Sequence, residues 1–305
     1  MAINTIEFSK IMMTQLDQHA VQHLTSGWME KNAGEVEYEG GDEVKIPTMS
    51  TQGLADYDRD KGFTRGAVTL KYEPYKMTQD RGRSFSLDAM DVKESNFVAS
   101  AVSVMKTFQE EKVIPEIDAY RYSKLYAIAS AASQTESVDI TAANVFAKLR
   151  ANIRAVQDKI GTGVPLILTM PLHVLGLLEE SEAFLRFISI SDFKQGEVNF
   201  TIKRFDTHAI ITPPSERLKT LYDIKTGAAG QEEGGLTPNA AAKSINWLIT
   251  AQKAPIAISK TDKIRVFNPD INQLADAWKI DYRKYHDIWV KKQQRDAIFV
   301  SVSHS

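Results

Sequence analysis

The residues best placed to do chemistry lie in "DYDRDKGF", Asp56 to Phe63, where Asp56, Asp58 and Asp60 alternate along the chain. D-x-D-x-D is how a calcium loop of the helix–loop–helix type begins. Such a loop needs a glycine at its sixth position, for a sharp turn, and a bidentate glutamate at its twelfth. Counted from Asp56, those positions hold Lys61 and Ala67, and Gly62 arrives one place late. Arg59 and Lys61 also bring positive charge to where the cation would sit. The ligand pattern therefore predicts no metal site, and it points to a solvated loop with interleaved charges of both signs.

Other reactive residue types are scattered. His19 and His23 are four apart and would share a helix face, but Ala-Val-Gln between them lacks the glutamate of H-E-x-x-H, which favours a surface or interface role. His208 has Asp206 two residues before it, on the same face if the segment is a strand. A carboxylate there polarises an imidazole, yet no nucleophile accompanies the pair, so a structural histidine is expected. His286 adjoins Asp287, and neighbours in a strand point to opposite faces. "KTGAAGQEEGGLTPNAAA" is Gly-rich but lacks the G-K-[ST] ending of a phosphate cradle, and reads as a surface loop. There is no G-x-S-x-G elbow and no G-x-G-x-x-G turn. Cysteine is absent, which removes disulfides, zinc thiolates, iron–sulfur clusters and cysteine nucleophiles. No catalytic residue, metal or cofactor is expected.

With so little chemistry, the elements carry the reading. The 305 residues are 43% hydrophobic and 25% charged, ordinary globular proportions. The length suits about two domains and a large core. A net charge of −2 argues against a strongly basic nucleic-acid binder. The N-terminal stretch carries Glu7 and Asp17 and has no long apolar run, so it does not read as a secretory signal, and no segment approaches a membrane span.

Residues 8–30 read as a helix through Met12, Leu16, Ala20 and Leu24. Val44 and Ile46, then Val68, Leu70 and Tyr72, alternate with polar residues and read as two strands. The long polar stretch between them is of the kind that is functional or an extended arm. From Asp91, a candidate N-cap with Glu94 three residues later, an apolar stripe runs through Phe97, Ala101, Val104 and Phe108, and then Ile114, Ile117, Tyr120 and Leu125. It predicts one long helix to about Ser130, kinked or split near Pro115. Thr141 can cap a further helix whose buried stripe is Val145, Leu149, Ile153, Val156 and Ile160, ended by Gly161. "VPLILTM" follows as a buried strand and "PLHVLGLLEE" as a helix. "EVNFTIKRFDTHAIITPP" holds one or two strands. "INWLIT", "PIAIS", "KIRVF" and the period-two runs near the C-terminus are strands too. No repeat and no linker divides the chain.

Four stretches, "STQGLADYDRDKGFTRGAVTL", "MTQDRGRSFSLDAMDVKESNFVAS", "VIPEIDAYRYSKLY" and "YRKYHDIWV", resemble the major capsid proteins of tailed bacteriophages of Gram-positive hosts, and the resemblance covers nearly the whole chain. It implies an α+β fold of the Hong Kong ninety-seven type. In its terms 1–39 would be a helical N-terminal arm and 40–80 an extended E-loop hairpin. Residues 81–135 would form a P-domain with a spine helix, 136–245 an α/β A-domain, and 246–305 closing strands mainly of the P-domain. It implies no enzyme activity and a shell of hexamers and pentamers around double-stranded DNA, located in the virion and assembled in the host cytoplasm. Portal, scaffolding protein and a decoration protein are the implied partners, with weak non-specific contact to DNA. Because the arm begins within a few residues of Met1, the scaffold is expected as a separate chain. Some members crosslink an E-loop lysine to a neighbour's asparagine, a role for which Lys61 is suggestively placed. The implied inter-subunit contacts are the tip charges Asp56, Asp58, Arg59, Asp60 and Lys61, with Arg81 and Arg83 as partners on a neighbour. An encapsulin-type compartment shares the fold. A cytosolic α/β enzyme is the alternative of another class.

Overall fold

Two of the four sheets among the described residues, the seven-stranded one and the one built on the strand Ala277–Val290, are fastened to one helix, α1 (Ile114–Ala131), whose buried face carries charge as well as hydrocarbon. The computed structural model describes residues 24–304, apart from 36, 39–41, 61, 89–102, 182–183, 185–186, 196–197, 268, 270 and 273–274. In chain order the strands are β1 (Glu37–Tyr38), β2 (Glu43–Thr51), β3 (Val68–Lys76), β4 (Gln79–Asp88), β5 (Thr135–Ser137), β6 (Leu166–Thr169), β7 (Ile188–Gln195), β8 (Val198–Phe205), β9 (His208–Ile211), β10 (Tyr222–Lys225), β11 (Gly235–Pro238), β12 (Ile245–Ala251), β13 (Pro255–Phe267), β14 (Ala277–Val290) and β15 (Ile298–Val302). Two more helices, α2 (Val145–Ile160) and α3 (Leu172–Glu179), follow α1.

The larger sheet has seven strands in the order β5-β15-β12-β6-β9-β8-β7. It is mixed, with β6–β9 and β15–β5 parallel and its other pairs antiparallel. Its core takes Val145, Leu149, Ile153 and Val156 from α2 and Val174, Leu175 and Leu178 from α3. The expected stripe of α2 is therefore the one buried. Asn144, not Thr141, is the residue that precedes its first turn. The Asn144 side chain accepts the Thr141 N–H at 2.9 Å, which spends the intervening residues on a turn. Gly161 stops the helix with φ +91°, a conformation that favours glycine.

The second sheet is β13-β14-β4. "PIAIS" and "KIRVF" are one strand, bent by a register shift between Ser259 and Thr261. β4 was not foreseen as a strand. It pairs with β14 from Gln79↔His286 to Asp88↔Ala277, and its Phe85 and Leu87 pack with Met105, Phe108, Ile280 and Tyr282. The segment 246–305 thus divides between the two sheets, with β12 and β15 inside the seven-stranded one. The Gly-rich stretch 225–242 is also more than a loop, because β10 and β11 pair across it.

Of the helix expected over 8–30, residues 24–26 lead through a turn into a 3-10 segment, Gly27–Glu35; residues 8–23, with His19 and His23, lie outside the described residues. So does the start expected for the long helix near Asp91. Residues 103–108 are α-helical and Gln109–Val113 form a π-turn. Pro115 has no N–H for the carbonyl four residues back, and the turn before it widens, the Ile114 N–H reaching the Gln109 carbonyl five residues back. The expected interruption is there, as a change of helix type.

α1 holds its neighbours through buried polar groups. Asp118, fully buried, accepts from the Thr25 N–H (3.2 Å), the Thr25 hydroxyl (2.7 Å), the Ser26 N–H (3.0 Å) and Arg217 (3.0 Å). Arg121, also fully buried, donates to the Ser26 carbonyl and to Glu30, the latter at 2.5 Å. One turn on, Lys124 pairs with buried Asp287 of β14, which also accepts from Tyr120 (2.8 Å) and the Thr78 N–H (2.9 Å). Glu116 takes a two-point ion pair from Arg81 of β4, at 2.5 and 3.2 Å. Burial pushes the Glu30 carboxyl up, but the Arg121 charge, assisted by Lys284, more than offsets it and leaves the pKa lowered.

Two predictions follow from this packing. A methyl group on Gly82 would sit 2.7 Å from the Tyr282 carbonyl oxygen, which is backbone. Gly82→Ala is expected to cost about 1–3 kcal/mol, while Gly53→Ala and Gly66→Ala, in open space, change the melting temperature little. The second concerns His286, buried beneath the Tyr120 ring, whose Nδ1 has no partner among the described residues. Burial first, then the charges of Arg121, Lys284, Lys124 and Arg81, push its pKa well below 6.5. The unfolded chain takes up a proton that the folded chain refuses, so stability is present above pH 6.5 and lost below it. Urea unfolding of the unassembled chain between about pH 6.5 and 5 should show a loss of up to about 1.4 kcal/mol per pH unit. His286→Gln should reduce that slope, and an unchanged slope would assign it elsewhere.

Candidate assembly interface

β2 and β3 form an antiparallel ribbon from Glu43↔Lys76 to Thr51↔Val68. Only its base is buried. Val44 and Ile46 pack with Met77, Ile256, Ile258, Tyr285 and Trp289. Tyr75 sits against the Trp289 ring, centroids 5.8 Å apart, and Lys292 pairs with Glu73 at 3.1 Å. Further out both strands are largely solvent-exposed.

Residues directly opposite in such a ladder share a face. The buried face at the base, Val44/Tyr75 and Ile46/Glu73, continues outward as Thr48/Lys71 and Ser50/Thr69, which are polar. The other face runs Lys45/Pro74, Pro47/Tyr72, Met49/Leu70 and Thr51/Val68. Met49 is 60% exposed, Leu70 52% and Val68 68%. The alternation Val68-Leu70-Tyr72 was legible in the sequence, but in a strand of a packed sheet it would have pointed inward.

The tip has its own structure. Asp58 and Gly62 exchange backbone hydrogen bonds, 3.3 Å from the Asp58 N–H and 2.8 Å from the Gly62 N–H, and Gly62 has φ +79°. The Asp58 carboxylate accepts the Asp60 N–H at 2.8 Å, a local turn of the kind Asp favours. That is the work one of the three carboxylates does. Among the described residues no three His, Cys, Asp or Glu side chains gather to hold a metal ion. The rings of Tyr57 and Phe63 meet across the turn at 4.8 Å. The two rings form an exposed apolar knob, and Leu54 is exposed nearby in the chain. Asp56, Asp58, Arg59 and Asp60 are all exposed at this tip, and Lys61 lies outside the described residues.

Arg81 and Arg83 sit elsewhere, on β4. Beyond Glu116, Arg81 also donates to the Lys225 carbonyl at 3.1 Å, so its guanidinium is engaged inside the subunit. Arg83 is exposed and donates to the Glu232 carbonyl at 2.8 Å. Asp206 is in the β8–β9 turn with φ +55°, not in a strand beside His208. Burial lowers the His208 pKa against the pull of Asp206, and its ring nitrogens meet Gln157 and the Leu166 N–H.

No protein-family model and no curated protein matches the sequence. Solved structures match the fold. The capsid structure of the cyanophage P-SCSP1u is 12% identical, with a TM-score of 0.54 over 88% of this chain and 85% of that one. The capsid structure of Staphylococcus phage Andhra is 9% identical, with a TM-score of 0.54 over 90% and 83%. A virus-like particle from Pyrococcus furiosus is 11% identical, with a TM-score of 0.50 over 98% and 99%. The chain has the fold of these phage capsid structures.

Proposed function

We propose that this chain is the shell subunit of a tailed-phage head, assembling into hexamers and pentamers that enclose double-stranded DNA. The observation that carries this reading is the ribbon, anchored at its base alone in a chain with a capsid fold. A two-stranded ribbon is at best marginally stable in water, and one with an open apolar face wants a partner. In this reading the ribbon is the E-loop, α1 is part of the spine, the β13-β14-β4 sheet belongs to the P-domain, and the α/β sheet is the A-domain. The ribbon crosses a neighbouring subunit. The tip charges Asp56, Asp58, Arg59, Asp60 and Lys61 set register and partner there, as interfacial charges do. Arg83 is the better candidate to receive them, since Arg81 is held by Glu116. The role is structural, with no reaction, and the portal, a scaffolding protein and a decoration protein are the further partners.

The full-length match to a virus-like particle supports a second reading, a compartment that encloses something other than a phage genome. DNA co-purifying with the particles separates the two.

The test is electron microscopy and native mass of the purified chain. The expected result is closed particles of megadalton mass. A variant in which residues 49–70 are replaced by Asn-Gly, a two-residue hairpin turn, is expected to keep a melting temperature near that of the parent and to remain a small species. A parent that stays at 34.1 kDa or a small multiple overturns the proposal.

A further inference from the structure

We infer that the ribbon docks on a second copy of this chain by one face only, the strip Pro47/Tyr72, Met49/Leu70 and Thr51/Val68 continued by the Tyr57–Phe63 knob, with Thr48, Ser50, Thr69 and Lys71 left in water. The inference rests on the shell reading and adds what that reading leaves open: which side of the ribbon is covered, and which groups supply the attraction.

The two faces differ in chemistry. A ribbon solvated on both sides has no use for Met49, Leu70 and Val68 more than half exposed, because uncovered apolar surface on an open-edged strand pair invites aggregation. The polar face carries hydroxyls and one lysine, groups that lose little by staying hydrated. The apolar face cannot fold back on its own base, since the base is buried through the opposite face, by Val44 and Ile46.

The chemistry of the surroundings selects the occupant. A nucleic acid would call for a row of cations, whereas this face offers Lys45 and Lys76 at its foot, beside Glu43, and the outer end sets Asp56, Asp58 and Asp60 against Arg59, Lys61 and Arg65. A lipid surface would repel the same three carboxylates as they approached an apolar interior. A protein surface accommodates both, with apolar groups at the centre and charges at the rim. The aromatic pair, in ring contact and largely exposed, is of the residue kind that anchors interfaces. A second copy is the partner that a shell supplies to every ribbon at once. The charges then choose register, while the strip and the knob supply the affinity.

The absence of cysteine makes the test direct. Leu70→Cys and Thr69→Cys place single thiols on adjacent residues that face opposite sides, both exposed in the free chain. Their maleimide reactivity is compared in unassembled chain and in purified particles. The expected result is similar rates in the free chain, with position 70 slowed by about tenfold or more in particles, as burial in an interface excludes water, and position 69 nearly unchanged. Leu70→Ser with Met49→Ser should lower particle yield at an unchanged melting temperature, and Thr69→Lys should not. Particles in which both thiols react alike, or in which position 69 is the protected one, overturn the face assignment and leave the shell reading standing. Protection of position 70 in unassembled chain by DNA or by anionic vesicles overturns the choice of partner. A parent chain that forms no particles overturns the shell reading and this inference with it.

Discussion

Charge buried along α1 is the constraint on which the other elements depend. Asp118 and Arg121 are fully sealed from solvent, and Lys124 reaches a third buried group, Asp287. Ions in such places are tolerated only when their hydrogen bonds are met by correctly placed partners. Those partners are distributed over the whole chain: Thr25, Ser26 and Glu30 near one end, Arg217 before β10, Thr78 just before β4, and Asp287 on β14. Hydrophobic contact brings these segments together without fixing their register. The charges fix it, because a shift of one residue would leave an ion unpaired in the interior. α1 therefore fixes the sheet containing β14, and with it the base of the ribbon, by charge, while it meets the seven-stranded sheet through Tyr122, Leu125 and Ala129.

This arrangement explains how a chain with a large exposed appendage remains well defined. The ribbon's base lies on the sheet containing β14, and β14 is tied to α1 through Asp287. Movement of the ribbon at its root would disturb a buried ion pair. Its outer half is free of that restraint. The molecule thus separates a rigid body, specified by buried polar groups, from a projecting surface whose partner lies outside the subunit.

The division between what was legible in the sequence and what was not follows the same line. Local patterns announced themselves: the α2 stripe, the buried "LILT" strand, the alternation in β2 and β3, and the interruption at Pro115. Non-local roles did not. Arg81 looked like a surface charge free for a neighbour because its partner, Glu116, is far along the chain, and nothing in "QDRGR" reveals it. β4 escaped notice because its alternation of Arg81 and Arg83 with Asp80, Gly82 and Ser84 has no apolar face until Phe85. Asp206 was placed beside His208 by assuming a strand where a two-residue turn stands. At the ribbon tip the carboxylates drew attention as possible ligands. The structure uses Asp58 to build the turn, and it exposes the two aromatic rings that the charge pattern had hidden. The capsid fold itself was readable from family landmarks, while the identity of the covered face required knowing which rungs share a side.

The π-turn at Gln109–Val113 has a consequence for how this helix tolerates changes in length. A π-turn is an α-helix holding one residue more than the repeat requires. Each residue advances an α-helix by about 100°, so the widened turn re-aims everything before it relative to everything after it. Met105 and Phe108 face Ile280 and Tyr282 while Ile117, Asp118 and Arg121 remain buried one segment later. Removing a single residue from the turn would restore regular winding and leave Met105 and Phe108 on their sheet, whereas regular winding with that residue kept would swing them off it by about 100°. The spare residue acts as a phase adjuster, letting two stretches of one helix answer to two different surfaces.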